Sequence, residues 1–237
     1  MSSREVEIEA LLERAKKQFS VIKREYKINL DQKFISTDLG IKIKNLCENL
    51  RSALDYLAHD IREYYCPLEN KKDRFYFPIL PDINQFNRKL LQWYPGLNTA
   101  APDLWDYLES IQPFKGKSTI WLSHFNKLNN ENKHNTLVPQ TKTTREEVNV
   151  SLKNGGTVSW DPSGTTFGKY GVSIDGVPVD PLTQKPIPHP SQKVEQTIWV
   201  DFHFENIPVS ALKLLKLSLD GVERITSEVR KTLKDVM

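Results

Sequence analysis

The chain has 237 residues, 38% of them hydrophobic, 27% charged and 10% aromatic, enough for one sizeable core or a core with a small second lobe. Lys and Arg number 33 against 30 Asp and Glu, so the net charge is +3 and the isoelectric point near 8.7, which permits a nucleic-acid partner without arguing for one. Collagen-like, disulfide-dense and disordered classes are excluded, and no apolar run approaches the roughly 20 residues of a bilayer span. The charged first residues carry no apolar secretory segment, and Cys47 and Cys66 fall in helical pattern, which fits reduced thiols. The expectation is a cytoplasmic protein with no membrane partner.

The first predicted element is an amphipathic helix over residues 3–27. Ile8, Leu11, Leu12, Ala15, Phe19, Ile22 and Tyr26 recur at three- and four-residue steps. Residues 28–37 are short and mixed, readable as a strand or an irregular connection. A second helix starts at Ser36 to Asp38 and runs to Tyr65, with Leu46, Leu50, Leu54, Leu57 and Ile61 as its core stripe and Pro67 as its stop. Residues 71–81 break the helical period: Phe75, Phe77 and Ile79 alternate and Pro78 and Pro81 punctuate, which predicts an extended segment laid across the helices. Helices follow over 82–91, 102–110 and 117–132, the last with Trp121, Phe125 and Leu128 on one face.

From Thr141 the periodicity changes to two. Val148, Val150 and Leu152 alternate, the Asn154-Gly155-Gly156 turn leads into Thr157–Trp160, and Asp175-Gly176 marks a second hairpin. Residues 180–193 carry four prolines and read as a loop. Ile198, Val200, Phe202 and Phe204 then alternate as the clearest strand. A long helix over 208–236 closes the chain, striped by Leu212, Leu215, Leu219, Val222, Val229 and Leu233 despite Gly221 in its middle. The predicted fold is mainly α (α+β): a helical bundle of four to five main helices with a small antiparallel β-sheet inserted before the C-terminal helix. It reads as one domain over 1–237, with a helical part to 140, a β-rich insertion over 141–205 and a closing helix over 206–237.

Signatures of the common enzyme classes are missing. There is no phosphate loop ending in Gly-Lys-Ser/Thr, no Gly-x-Gly-x-x-Gly, no Gly-x-Ser-x-Gly, no Cys-x-x-Cys and no His-Glu-x-x-His. Two polar constellations remain on otherwise apolar helices. Arg51, Asp55 and His59 stand at i, i+4 and i+8 and so stack on one face of the second helix, about 100° from its leucine stripe. They make either a surface ladder of ion pairs or a site in which Asp55 orients Arg51 or His59 toward a cleft. Asn126, Asn130 and His134 repeat that spacing within Ser-His-Phe-Asn-Lys-Leu-Asn-Asn-Glu-Asn-Lys-His, residues 123–134. Asparagine is a mediocre helix former, so this run is either a solvated helix end, with Lys133 and His134 suited to the dipole, or a polar site for a phosphate or a base edge.

The pair Asn-Leu-Arg-Ser-Ala-Leu-Asp (49–55) and Leu-Asn-Asn-Glu-Asn-Lys-His (128–134), with Phe77-Pro78-Ile79 between, resembles a group of uncharacterised bacterial proteins. The second motif is also similar to the Arg-Asn-x-x-x-His signature of the HEPN superfamily, all-helical domains of toxin, defence and RNA-processing systems. Asn130 and His134 match the motif Asn and His, whereas Asn129 stands where the motif has Arg. The resemblance covers two helices, about a quarter of the chain, and leaves the β-rich part without a counterpart. It implies metal-independent RNA cleavage, in which a ribose 2′-hydroxyl attacks the adjacent phosphate, with His134, Arg51, Asp55 and Asn130 as catalytic residues and Lys133, Asn126 and His59 contacting RNA. It implies RNA, a homodimer or a defence-system partner protein as partners, in a stress or phage-defence setting, and no cofactor. Non-catalytic members that bind RNA, nucleotide or protein fit the Asn129 departure as well.

Two other readings stand beside it. One is a non-catalytic protein-interaction module in which the same polar residues form a structural network. The other is a metal-dependent hydrolase of the four-helix type, with Asp55, His59, His124 and His134 as ligands. Trp160, Phe167 and Trp199 in the β-region would stack bases, form a partner surface or fill the space beside the sheet. His189 and His203 are expected at the surface.

Overall fold

The fold is taken from a computed structural model, which describes residues 3–32, 36–66, 74–134, 140–152, 155–162, 165–167, 172–190, 192–204 and 207–234. Among these the elements are α1 (Ser3–Gln32), α2 (Thr37–Tyr65), α3 (Ile83–Trp93), α4 (Leu97–Ala100), α5 (Pro102–Ser110), a 3-10 turn (Pro113–Lys115) and α6 (Ile120–His134). After them come β1 (Gln140–Ser151), β2 (Thr157–Trp160), β3 (Ser173–Ile174), β4 (Val177–Asp180), β5 (Lys185–Pro186), β6 (Lys193–Phe204) and α7 (Ala211–Lys234). The fold is mainly α with a small antiparallel β part before the C-terminal helix. The chain divides into two compact units, residues 1–140 with 203–237 and residues 141–202.

In the helical unit α1, α2, α6 and α7 pack on one another. The stripes that define them in sequence are the ones they bury: Ile8, Ala15 and Ile22 of α1, all five residues of the α2 stripe, and Val222 and Val229 of α7 are fully shielded. Burying each of the leucine, isoleucine and valine side chains is worth roughly 1.5–3 kcal/mol, which is what orders helices of ordinary propensity. Ser36 caps α2 by accepting from Leu39 N, and Asp82 caps α3 by accepting from Gln85 N. Polar bonds tie the helix ends together: Arg4 of α1 reaches Asp60 of α2 at 2.6 Å, and the Tyr65 hydroxyl donates to Thr232 O of α7 at 3.0 Å.

Three local expectations are corrected. Residues 28–32 are neither strand nor irregular: α1 runs through them, with Asn29 donating to Glu25 O while its side-chain oxygen accepts from Ser36 N at the start of α2; residues 33–35 lie outside the described residues. The proline-rich stretch after Asp180 is not wholly loop: Lys185–Pro186 pairs with β4, reached through a turn in which Asp180 accepts from Leu182 N and from the Thr183 hydroxyl. The closing helix begins at Ala211 rather than at 208, since Ser210 is held in a bridge to His203.

Among the described residues of the β-rich unit the strands form two three-stranded sheets, ordered β2-β1-β6 and β3-β4-β5. Val148 pairs with Trp160 and Val150 with Val158. The β3–β4 hairpin turns through Asp175 at φ 49° and Gly176 at φ 80°, a pair of left-handed residues that Asp-Gly accommodates with little strain. Val148, Val150 and Trp160 form the small core of this unit.

Candidate functional site

Two elements approach each other around the Arg51–Asp55 pair, α2 and the extended segment 74–80, with α6 alongside. Arg51 and Asp55 lie one helical turn apart, so their side chains meet: Nε donates to Asp55 Oδ2 at 3.1 Å and Nη2 lies 3.0 Å from Oδ1. The fork-on-carboxylate geometry is the bidentate one that gives an Arg–Asp pair its strength. Arg51 Nη1 donates to Asn126 Oδ1 of α6 at 3.3 Å, and Asp55 Oδ1 accepts from Phe77 N at 3.2 Å. Arg51 is only 8% exposed, and its guanidinium faces the Tyr76 ring, 6.0 Å from the centroid. One ion pair thus joins three segments.

The extended segment is held from its other side by two residues that the sequence did not single out. Gln112, fully buried, donates to Pro78 O at 3.1 Å and to Leu108 O at 2.8 Å, while its side-chain oxygen accepts from Leu80 N at 2.9 Å. The buried Tyr94 hydroxyl donates to Tyr76 O at 2.9 Å. Burial first, and the Asp55 charge after it, push the Tyr94 phenol well above its ordinary range. A lone glutamine between Ile111 and Pro113 carries no periodic signature, so only the tertiary fold identifies it as a clamp.

The sequence-predicted residues divide accordingly. Arg51, Asp55 and Asn126 come together. Asn130 lies one turn beyond Asn126 on the same face of α6 and is exposed. The helix carries Lys133 and His134 in its last turn, and their side chains lie outside the described residues. His59 is exposed and packs edge-on against Phe75, ring centroids 4.6 Å apart, so it adds an aromatic contact rather than a second bond to Asp55. Asn129, at the position of the motif Arg, points into the core. It is 1% exposed, and neither its amide oxygen nor its nitrogen has a hydrogen-bond partner. With Leu122 and Phe125 it shares the buried face of α6, about 100° from Asn130.

The remaining candidates take structural places. Trp160 is core, edge-on to Phe167 at 5.5 Å, and its indole N–H donates to Gln184 O at 2.9 Å. The Trp199 side chain lies outside the described residues. His189 is exposed, and His203 is half-buried at the bridge to Ser210. His124 is half-buried, and burial first and Lys127 second hold its imidazole below the usual value. Among the described residues no three of His, Cys, Asp and Glu gather in a way that would hold a metal ion. No protein-family model, curated protein or solved structure matches the chain.

Proposed function

We propose that this protein is a non-catalytic interaction module with a HEPN-like pair of helices, in which the residues resembling a nuclease site serve as a structural network. The observation that carries this reading is the engagement of Arg51. A cation that offsets charge on a phosphorane needs an open approach and donors free to reorganise around phosphate oxygens. Arg51 is 8% exposed, its guanidinium is bidentate on Asp55 and bonded to Asn126, and it closes a junction between α2, the extended segment and α6. The other place for a cation, position 129, holds an asparagine directed into the core, shielded from any phosphate.

The second reading is the metal-independent ribonuclease that the resemblance implies, with His134 moving protons. The polar face of α6 favours it, since Asn126 and the exposed Asn130 stand one turn apart on the helix that carries His134. The experiment that decides is incubation of the purified protein with total cellular RNA in EDTA, beside His134→Ala and Arg51→Ala. The module reading expects no cleavage by any of the three and a lowered melting temperature for Arg51→Ala alone. Cleavage by the wild type that disappears in His134→Ala would overturn it in favour of the ribonuclease.

A further inference from the structure

We propose that the groove between α1 and α7 binds a linear aliphatic polyamine, its ammonium groups on the glutamates of α1 and its methylenes against Leu12. The groove shares no residue with the Arg51 junction, so this inference stands apart from the module reading. The two helices run antiparallel and are bridged at both ends. At one end Lys16 Nζ lies 2.7 Å from Glu223 Oε1; at the other Arg230 donates to Glu9 Oε1 at 3.1 Å and to Glu5 O at 2.7 Å. A cavity of about 480 Å³ opens to solvent between the helices, with Leu12 and Thr226, 8% and 2% exposed, on its floor.

Glutamates form a ladder along this groove. Glu5, Glu9 and Glu13 stand at i, i+4 and i+8 on α1 and all line it, so their carboxylates recur about every 6 Å. Like charges at that spacing oppose the helix as much as an ion pair would support it. With Glu223 on α7, four carboxylates line the groove against three cations. Each of those cations is already engaged. Lys16 is shared between Glu13 at 2.8 Å and Glu223, Arg230 is held as described, and Lys231 bonds Glu228 at 2.7 Å outside the lining. Lys17 acts on Glu13 from outside as well. Glu9, Glu13 and Glu223 each make their ion pair through Oε1, which leaves Oε2 to accept from a further donor. Bonds from Glu13 first and Glu223 second raise the Lys16 ammonium above its usual range, as a surplus of negative charge there requires.

The floor carries an unpaired hydroxyl. A helical threonine or serine ordinarily bonds the carbonyl four residues back. Ser218 and Thr232 of the same helix do so, donating to Leu214 O at 2.8 Å and to Glu228 O at 3.3 Å. Thr226 lines the groove instead with no hydrogen-bond partner for its hydroxyl. An ammonium group settling on the floor donates to it. The ladder also selects among cations. A divalent metal needs carboxylates that converge, and among the described residues no three of His, Cys, Asp and Glu gather to hold one. Carboxylates spread along an apolar strip suit charges that repeat, with three or four methylenes between ammonium groups.

The test is isothermal titration calorimetry of the full chain at low salt with spermidine, beside n-butylamine, Mg2+ and tetralysine. Variants are Glu13→Gln, Thr226→Val and, as a remote control on α6, Glu131→Gln, each also followed by thermal melting. One spermidine is expected per chain, with n-butylamine and Mg2+ binding at least about tenfold more weakly and affinity falling as salt rises. Glu13→Gln is expected to weaken binding about tenfold and Glu131→Gln to leave it unchanged. Thr226→Val should bind about fivefold more weakly yet melt at a higher temperature, because valine removes a buried unpaired hydroxyl. A threonine with a purely structural role would not move affinity and melting in opposite senses. Absence of spermidine binding at millimolar concentration, or an equal loss in Glu131→Gln, would overturn the proposal. So would Mg2+ binding as tightly as spermidine, which would mean general charge screening, or tetralysine binding more tightly, which would place a polypeptide in the groove.

Discussion

Replacing Gly221 by alanine adds one methyl group to the buried face of α7. In an exposed helix that change would stabilise by about 1 kcal/mol, because alanine is the better helix former. At this position the added Cβ would lie 2.2 Å from Cζ2, 2.3 Å from Cη2 and 2.8 Å from Cε2 of Trp121. Ordinary carbon contacts are about 3.5–4.0 Å, so the indole must retreat by more than about 1 Å. The ring moves as one rigid body and is itself only 7% exposed, packed at the start of α6. Overpacking of this kind costs about 1–3 kcal/mol, and a displacement this large belongs at the upper end. The net expectation is a loss of about 2 kcal/mol, or roughly 4–8 °C in melting temperature for a chain of this size. Circular dichroism at 222 nm during a thermal ramp reads the helical transition directly. The same substitution in a Trp121→Leu background should become neutral or stabilising, which isolates the ring contact as the cause. A Gly221→Ala protein that melts at or above the wild-type temperature would refute the reasoning.

Asp55→Ala removes the partner of a nearly buried guanidinium and the acceptor of Phe77 N together, so a loss of about 2–4 kcal/mol in urea denaturation is expected, with Asp55→Asn intermediate. Burial pushes the Cys47 thiol up to about 12 and that of Cys66 to about 11, and both are free. Native protein at pH 8 should therefore react with a thiol reagent far more slowly than denatured protein, which should release two equivalents; rapid native labelling would contradict their burial. His124 has a folded-state value below its unfolded one, so the unfolded chain takes up the proton first as pH falls. Its stabilising contribution is present above the ordinary imidazole range and is lost as pH falls below that range, and His124→Gln should flatten that part of the melting-temperature profile.

The helical part was legible because its signal is local and repeated. The stripe through Leu46, Leu50, Leu54, Leu57 and Ile61 can satisfy a helix in only one orientation, and all five are buried. The starts expected near Ser36 and at residue 82 agree with the structure, which adds that Ser36 and Asp82 are the caps, each acting on an N–H three residues ahead. Residues 28–32 misled because their composition is mixed, and a side chain bonding seven residues ahead, from Asn29 to Ser36, settles the matter. The pairing of Lys185–Pro186 with β4 was hidden by the prolines, which are tolerated in such a short strand.

The site followed the same division. Spacing alone placed Arg51 beside Asp55, and the chain order of apolar residues determined which helices form and which faces they bury. Nothing in that spacing could say whether the pair faces a cleft or closes a junction. That was decided when α6 brought Asn126 to Arg51 and the extended segment brought Phe77 N to Asp55, contacts between residues 75 and 22 positions apart. Likewise Gly221 reads as a blemish in a helix until Trp121, a hundred residues earlier in the chain, is seen to lie against it. Helical periodicity is a property of neighbours in sequence, whereas the environment of a guanidinium or a glycine is a property of neighbours in space, and only the packed fold supplies those.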